Sequence, residues 1–104
     1  MSRADRSNAL KAAYGALYSE VAGLVHDADP IRLIAIGAPD DEYDPEIGTI
    51  LPRLSEAKSS ADVRRIVHEE FVRWFGADTA GPMSSYASVA QKIWAAWLKF
   101  GEQR

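Results

Sequence analysis

The stretch "SSADVRRIVHEEFVRWFG", residues 59–76, places Val63, Ile66, Val67, Phe71, Trp74 and Phe75 at steps that a helix gathers onto one face. Ser59 with Asp62 three residues later resembles a capping box, although Asp is shorter than the Glu usually found there. Gly76 supplies the stop. A long amphipathic helix of this kind buries its stripe only against other elements, so the neighbouring segments decide what the fold is.

Toward the N-terminus, "SEAKSSAD" reads as a polar connection. Before it, Asp44-Pro45 opens a helix through Ile47, Ile50, Leu51 and Leu54, and Pro52 predicts a kink or break near Leu51. Asp29-Pro30 repeats the device and predicts a short helix ending at Gly37. The β-branched run Ile31–Ile36 also suits a buried strand, but no second convincing strand is there to pair with it, and the helix is preferred. Further back, Leu10, Tyr14, Leu17, Val21, Leu24 and Val25 define a helix from about Ser7 to His26, with Ser7 or Asn8 as its cap. Gly15 and Gly23 each weaken it by up to about 1 kcal/mol if they lie mid-helix, or else permit close approach of another helix.

Toward the C-terminus, "GADTAGPMSS" reads as a loop turning at Gly81-Pro82. A last helix from Ser84 or Ser85 presents Tyr86, Val89, Ala90, Ile93, Trp94, Trp97 and Leu98, and ends by Gly101. The expected fold is therefore all-α. It is a compact bundle of three long amphipathic helices plus two short helices, in a single domain over residues 1–104.

Composition narrows the functional classes. The absence of cysteine removes disulfides, thiol nucleophiles and thiolate zinc sites, and fits a reducing cytoplasm. The first residues lack the unbroken apolar core of a secretory leader, and no run approaches the roughly 20 apolar residues of a membrane span. A soluble cytoplasmic protein with no membrane partner is expected. With a net charge of −3 and Arg64-Arg65 as the only adjacent basic pair, nucleic acid is not an expected partner either.

The charge is unevenly spread. Asp40, Asp41, Glu42, Asp44 and Glu46 crowd residues 40–46, and no basic residue lies between Arg32 and Arg53. A calcium loop counted from Asp40 puts Pro45 where the turn glycine belongs and Leu51 where the bidentate Glu belongs, so no metal is expected. Asp44 and Glu46 suit the first turn of a helix, where carboxylates meet the positive end of the dipole. Asp40, Asp41, Glu42 and Tyr43 have no such role, and with Asp44 they form the candidate partner-binding set. An acidic loop of this kind speeds capture of a basic protein through electrostatic steering, and Tyr43 adds an apolar body with a hydroxyl tip.

Two alternatives stand beside this non-enzymatic reading. One is a small enzyme or ligand-binding domain that uses a carboxylate with His26 or His68, the only imidazoles. The other is an acidic loop that serves structure alone. The histidine spacing fits no zinc-protease helix, and neither a nucleophile elbow nor a glycine-rich phosphate loop is present, so no catalytic residue and no cofactor is assigned. Trp74, Phe75, Trp94, Trp97 and Phe100 read as filling a core, and the alternative is that an exposed part of Trp97 or Phe100 anchors an interface.

"DPIRL", then "GAPDDEYDPEI", then a helix ending in "RWFG", resembles the YugE-like family of small bacterial proteins. The resemblance rests on Asp29, Pro30, Leu33, Gly37, Ala38, Pro39, Asp41, Glu42, Tyr43, Asp44, Glu46, Ile47, Trp74, Phe75 and Gly76, and spans about Asp29 to Gly76. Pro45 and Pro52 depart from the pattern. The resemblance implies a compact helical fold in a cytoplasmic bacterial protein of unknown function, with no catalytic or ligand residues to carry over. By analogy, small acidic families of this kind include immunity proteins that neutralise toxins.

Overall fold

The helix expected over residues 60–75 forms because both of its ends are closed locally. In the computed structural model, which describes residues 14–29 and 44–102 (44–46 and 102 by their backbone alone), it runs Ser60–Phe75. Ser59 is extended, and its Oγ accepts the Asp62 N–H at 3.2 Å. The Asp62 carboxylate in turn accepts the Lys58 N–H at 2.8 Å, one residue before the cap. At the other end Gly76, at φ 88°, donates its N–H to Val72 O at 2.8 Å. The positive φ is what favours glycine there.

In chain order the elements are α1 (Ala16–Ala28), α2 (Asp44–Ile50), a first 3-10 helix (Leu51–Glu56) and α3 (Ser60–Phe75). A single turn α4 (Ala77–Ala80), a second 3-10 helix (Met83–Tyr86) and α5 (Ala87–Glu102) follow. Every regular element among the described residues is helical, and no strand occurs among them. α3 packs against α2, α4, α5 and both 3-10 helices, while α1 packs on α5 and α2.

Several boundaries differ from expectation. α1 starts only after Gly15, whose backbone (φ 55°, ψ −125°) is non-helical, so this glycine marks a helix start within the described residues instead of sitting mid-helix. Ser7 and Asn8, the expected caps, lie outside those residues. At its other end α1 passes His26 by two residues and closes at Asp29, which is left-handed at φ 44° and donates its N–H to Val25 O at 2.9 Å. Asp29 thus ends a helix; the short helix expected to follow it, and the competing strand, fall outside the described residues. The break near Leu51 is present: α-helix gives way to 3-10 helix there, with Pro52 in the new first turn, where its missing N–H costs no bond.

The segment expected as a loop after Gly76 is instead mostly helical turns, α4 and the second 3-10 helix. The latter leads directly into α5, which begins at Ala87 and continues through Gly101 to Glu102.

One continuous core holds the described elements together. α1 contributes Leu17, Tyr18, Val21 and Val25; α2 and the first 3-10 helix contribute Ile47, Ile50, Leu51 and Leu54. Val63, Ile66, Val67 and Phe71 come from α3, and Tyr86, Val89, Ala90, Ile93 and Ala96 from the last segment. Two expected stripe members are exposed. Leu98 is 47% exposed and Trp74 43%. Trp74 sits in the last turn of α3, and its indole N–H donates to Thr49 Oγ1 at 3.1 Å, so the ring tethers α3 to α2 at the surface. Trp94, Trp97 and Phe100 are half-buried against the core, with Phe100 stacked on Trp97 at 5.8 Å.

Leu54 is fully buried in a 3-10 helix, whose hydrogen-bond geometry is poorer than that of an α-helix, so packing contributes much of what holds it in place. Replacing Leu54 with Ala should cost about 2–5 kcal/mol, read as a lower urea midpoint with the folded-state circular dichroism unchanged.

Candidate functional site

Of the expected partner-binding set, Asp40, Asp41, Glu42 and Tyr43 lie outside the described residues. Asp44 is placed as the first residue of α2, by its backbone alone. What the structure defines is the root of this segment. Ile47 and Ile50 are fully buried, and α2 packs on α1 and α3, so the chain just after the acidic run is fixed to the core.

The first cation after that run, Arg53, is engaged within the fold. Its Nη1 donates to Glu70 Oε2 at 2.8 Å and its Nη2 to Glu69 Oε1 at 2.7 Å. Glu56 Oε2 stands 3.9 Å from Nε. Glu70 is only 3% exposed, and a carboxylate taken out of water is costly unless paired. The guanidinium fork of Arg53 meets that need while bridging two adjacent carboxylates of α3. Arg73 adds a weaker contact, 3.9 Å from Glu70 Oε1, and Arg65 lies 3.4 Å from Glu69 Oε1. The hydrogen bond from Arg53 is the main reason the Glu69 carboxyl lies below its ordinary range. The same bond raises the Arg53 guanidinium still further.

Neither histidine joins this network. The His68 Nε2 lies 2.9 Å from Gly81 O; a carbonyl only accepts, so this nitrogen carries the proton. The His68 ring also stands edge-on to Tyr86, with centroids 5.5 Å apart. Tyr86 is fully buried and donates its hydroxyl to Ala80 O at 2.6 Å; burial pushes that hydroxyl up to about 12. Two side chains from two elements thus hold consecutive carbonyls, Ala80 and Gly81, and fix the turn after α4. His26 occupies the last turn of α1, as expected of a residue meeting the negative end of the helix dipole. Its Nδ1 is 3.6 Å from Asp27 Oδ1, longer than a hydrogen bond. Among the described residues no group of three or more His, Asp or Glu side chains is placed to hold a metal ion.

Sequence reasoning missed a cleft of about 310 Å³ lined by Leu24, Asp27 and Ala28 of α1 with Ser85, Ser88, Val89 and Lys92. The spacing of the last four, at steps of three and four, was a usable signal: it draws one polar-edged stripe from the second 3-10 helix into the start of α5. That α1 supplies the facing wall was not legible, because the pairing joins residues some sixty positions apart and depends on which helices pack together. The Arg53 hub was hidden for the same reason. The "EE" pair at residues 69–70 is visible in the sequence, but its partner 16 or 17 residues away is not.

No protein-family profile, no curated protein and no solved structure matches the chain. No helix among the described residues is long and apolar enough to cross a membrane.

Glu69 has a lowered folded-state pKa, so its pairing stabilises the fold fully above the ordinary value of 4.5 and is lost as pH falls through the lower folded value. The Glu69→Gln variant should therefore show a shallower loss of stability in acid than the parent protein, measured by urea midpoints across an acid pH series. Tyr86 has the opposite sign of consequence at high pH. Its raised value means stability is retained below 10 and declines as pH rises through about 12. Tyr86→Phe should lose about 1–3 kcal/mol at neutral pH, because Ala80 O loses its donor, and should lack that alkaline component in thermal melts.

Proposed function

We propose that this protein is a non-enzymatic interaction module that presents Asp40, Asp41, Glu42, Tyr43 and Asp44 to a basic protein partner. The observation that carries the reading is the engagement of Arg53. The first cation after the acidic run already serves Glu69 and Glu70 inside the fold, and Arg65 and Arg73 stand beside the same two carboxylates. These three arginines therefore have carboxylates of α3 within reach, Arg53 by short hydrogen bonds to both. The buried anchor at Ile47 and Ile50 gives the acidic segment a fixed root from which to act. An immunity-type inhibitor, which must capture a basic toxin quickly, is the functional class that suits such steering.

The further parts of the reading belong with it: a place among the YugE-like proteins, a cytoplasmic setting, and a bundle built on three long amphipathic helices plus two short helices. A histidine–carboxylate enzyme has less support. His68 is committed to a backbone carbonyl, and His26 stands 3.6 Å from an exposed carboxylate.

The test is an affinity capture from the native host with the parent protein and an Asp40→Lys/Asp41→Lys/Glu42→Lys variant, at low and high salt. A basic partner should be retained by the parent, weakened by salt and lost from the variant, with the melting temperature of the variant unchanged. A variant that unfolds, or that keeps the partner at full affinity, would make the acidic run architectural.

A further inference from the structure

The cleft missed by sequence reasoning has a defined chemical character. α1 and α5 run antiparallel, since the last turn of α1 meets the start of α5 across the cleft while Tyr14 meets Phe100 near its end, with ring centroids 6.2 Å apart. The facing positions Ala28, Ser85 and Ser88 are too short to fill the space between the two helices, which is why a cleft opens there. Its apolar surface comes from Leu24, Ala28 and the buried side of Val89.

Its charges are of both signs and do not cancel in a direct pair. Lys92 has no ion-pair or hydrogen-bond partner among the described residues, and Asp27 has only His26, at 3.6 Å. A simple anion entering this cleft would face Asp27, and a simple cation would face Lys92. A molecule bearing one charge of each sign meets both walls favourably. The volume, about 310 Å³, lies at the lower end of the range for ligand sites, which suits a small metabolite.

We propose that this cleft binds a small zwitterion with a hydrocarbon body, the class to which aliphatic amino acids belong. Asp27 receives the ammonium group, while Lys92 with the Ser85 and Ser88 hydroxyls receives the carboxylate. Leu24, Ala28 and Val89 cover the hydrocarbon. The inference is independent of the reading of the acidic segment as a recognition site.

The experiment is a titration of the full chain followed by amide chemical shifts, with leucine and ε-aminocaproate as probes of short and long charge separation. Caproate and pentylamine, each lacking one charge, are the controls. At least one zwitterion should give saturable shifts centred on Leu24, Ala28, Ser88 and Lys92, with both controls about tenfold weaker or worse. Asp27→Asn and Lys92→Gln, both changes of exposed side chains, should each weaken that probe by about tenfold, and Ser88→Leu should fill the cleft and abolish binding. No saturable shift from either zwitterion overturns the proposal. So does a singly charged control that binds equally well, which decides the matter even if a variant fails to fold.

Discussion

The burial of one helical stripe, Val63, Ile66, Val67 and Phe71 of α3, is the constraint on which the rest of the described structure depends. α3 touches α2, α4, α5 and both 3-10 helices, so removing its apolar face from water positions nearly every other element. An α-helix turns about 100° per residue, and successive residues of α3 therefore address different neighbours. His68 reaches the turn after α4, Glu69 and Glu70 reach Arg53, and Phe71 packs on Tyr86 with centroids 5.3 Å apart. A four-residue stretch thus joins three parts of the chain.

The polar groups divide by what surrounds them. Near the core, a buried charge or hydroxyl left wholly unpaired is costly, and two such groups have partners within the fold. Arg53 accompanies Glu70, and Tyr86 accompanies the Ala80 carbonyl. At the cleft between α1 and α5, where water screens each group, Asp27 and Lys92 remain apart without penalty. Groups of the first kind explain stability; those of the second kind remain available to a ligand. The proposed acidic recognition segment depends on the same division, since Arg53, the first arginine after it in the sequence, is held by Glu69 and Glu70 of α3.

Legibility followed the range of the interactions. The helix over residues 60–75, its Ser59 cap, its Gly76 stop and the break at Leu51 were all readable, because each is set by residues within a few positions of one another. The start of α1 after Gly15 was not anticipated, because the apolar spacing runs on through Tyr14 and Leu17 whether or not the backbone between them is helical. The segment after Gly76 was misread because glycine and proline signal turns without distinguishing an irregular loop from short helical turns held by outside side chains, here His68 and Tyr86. Trp74 and Leu98 keep the helical period yet fall at the margin of the buried stripe, a distinction that only the neighbouring elements draw.

By itself, then, the sequence determined helical class, most element types and the concentration of acid at residues 40–46, all of which are properties of composition and short-range periodicity. The tertiary structure decided which side chains meet: Arg53 with Glu69 and Glu70, Trp74 with Thr49, and the two walls of the cleft. The reason is physical. Periodicity says which face of a helix avoids water, whereas the identity of the surface covering it depends on how all the faces pack at once.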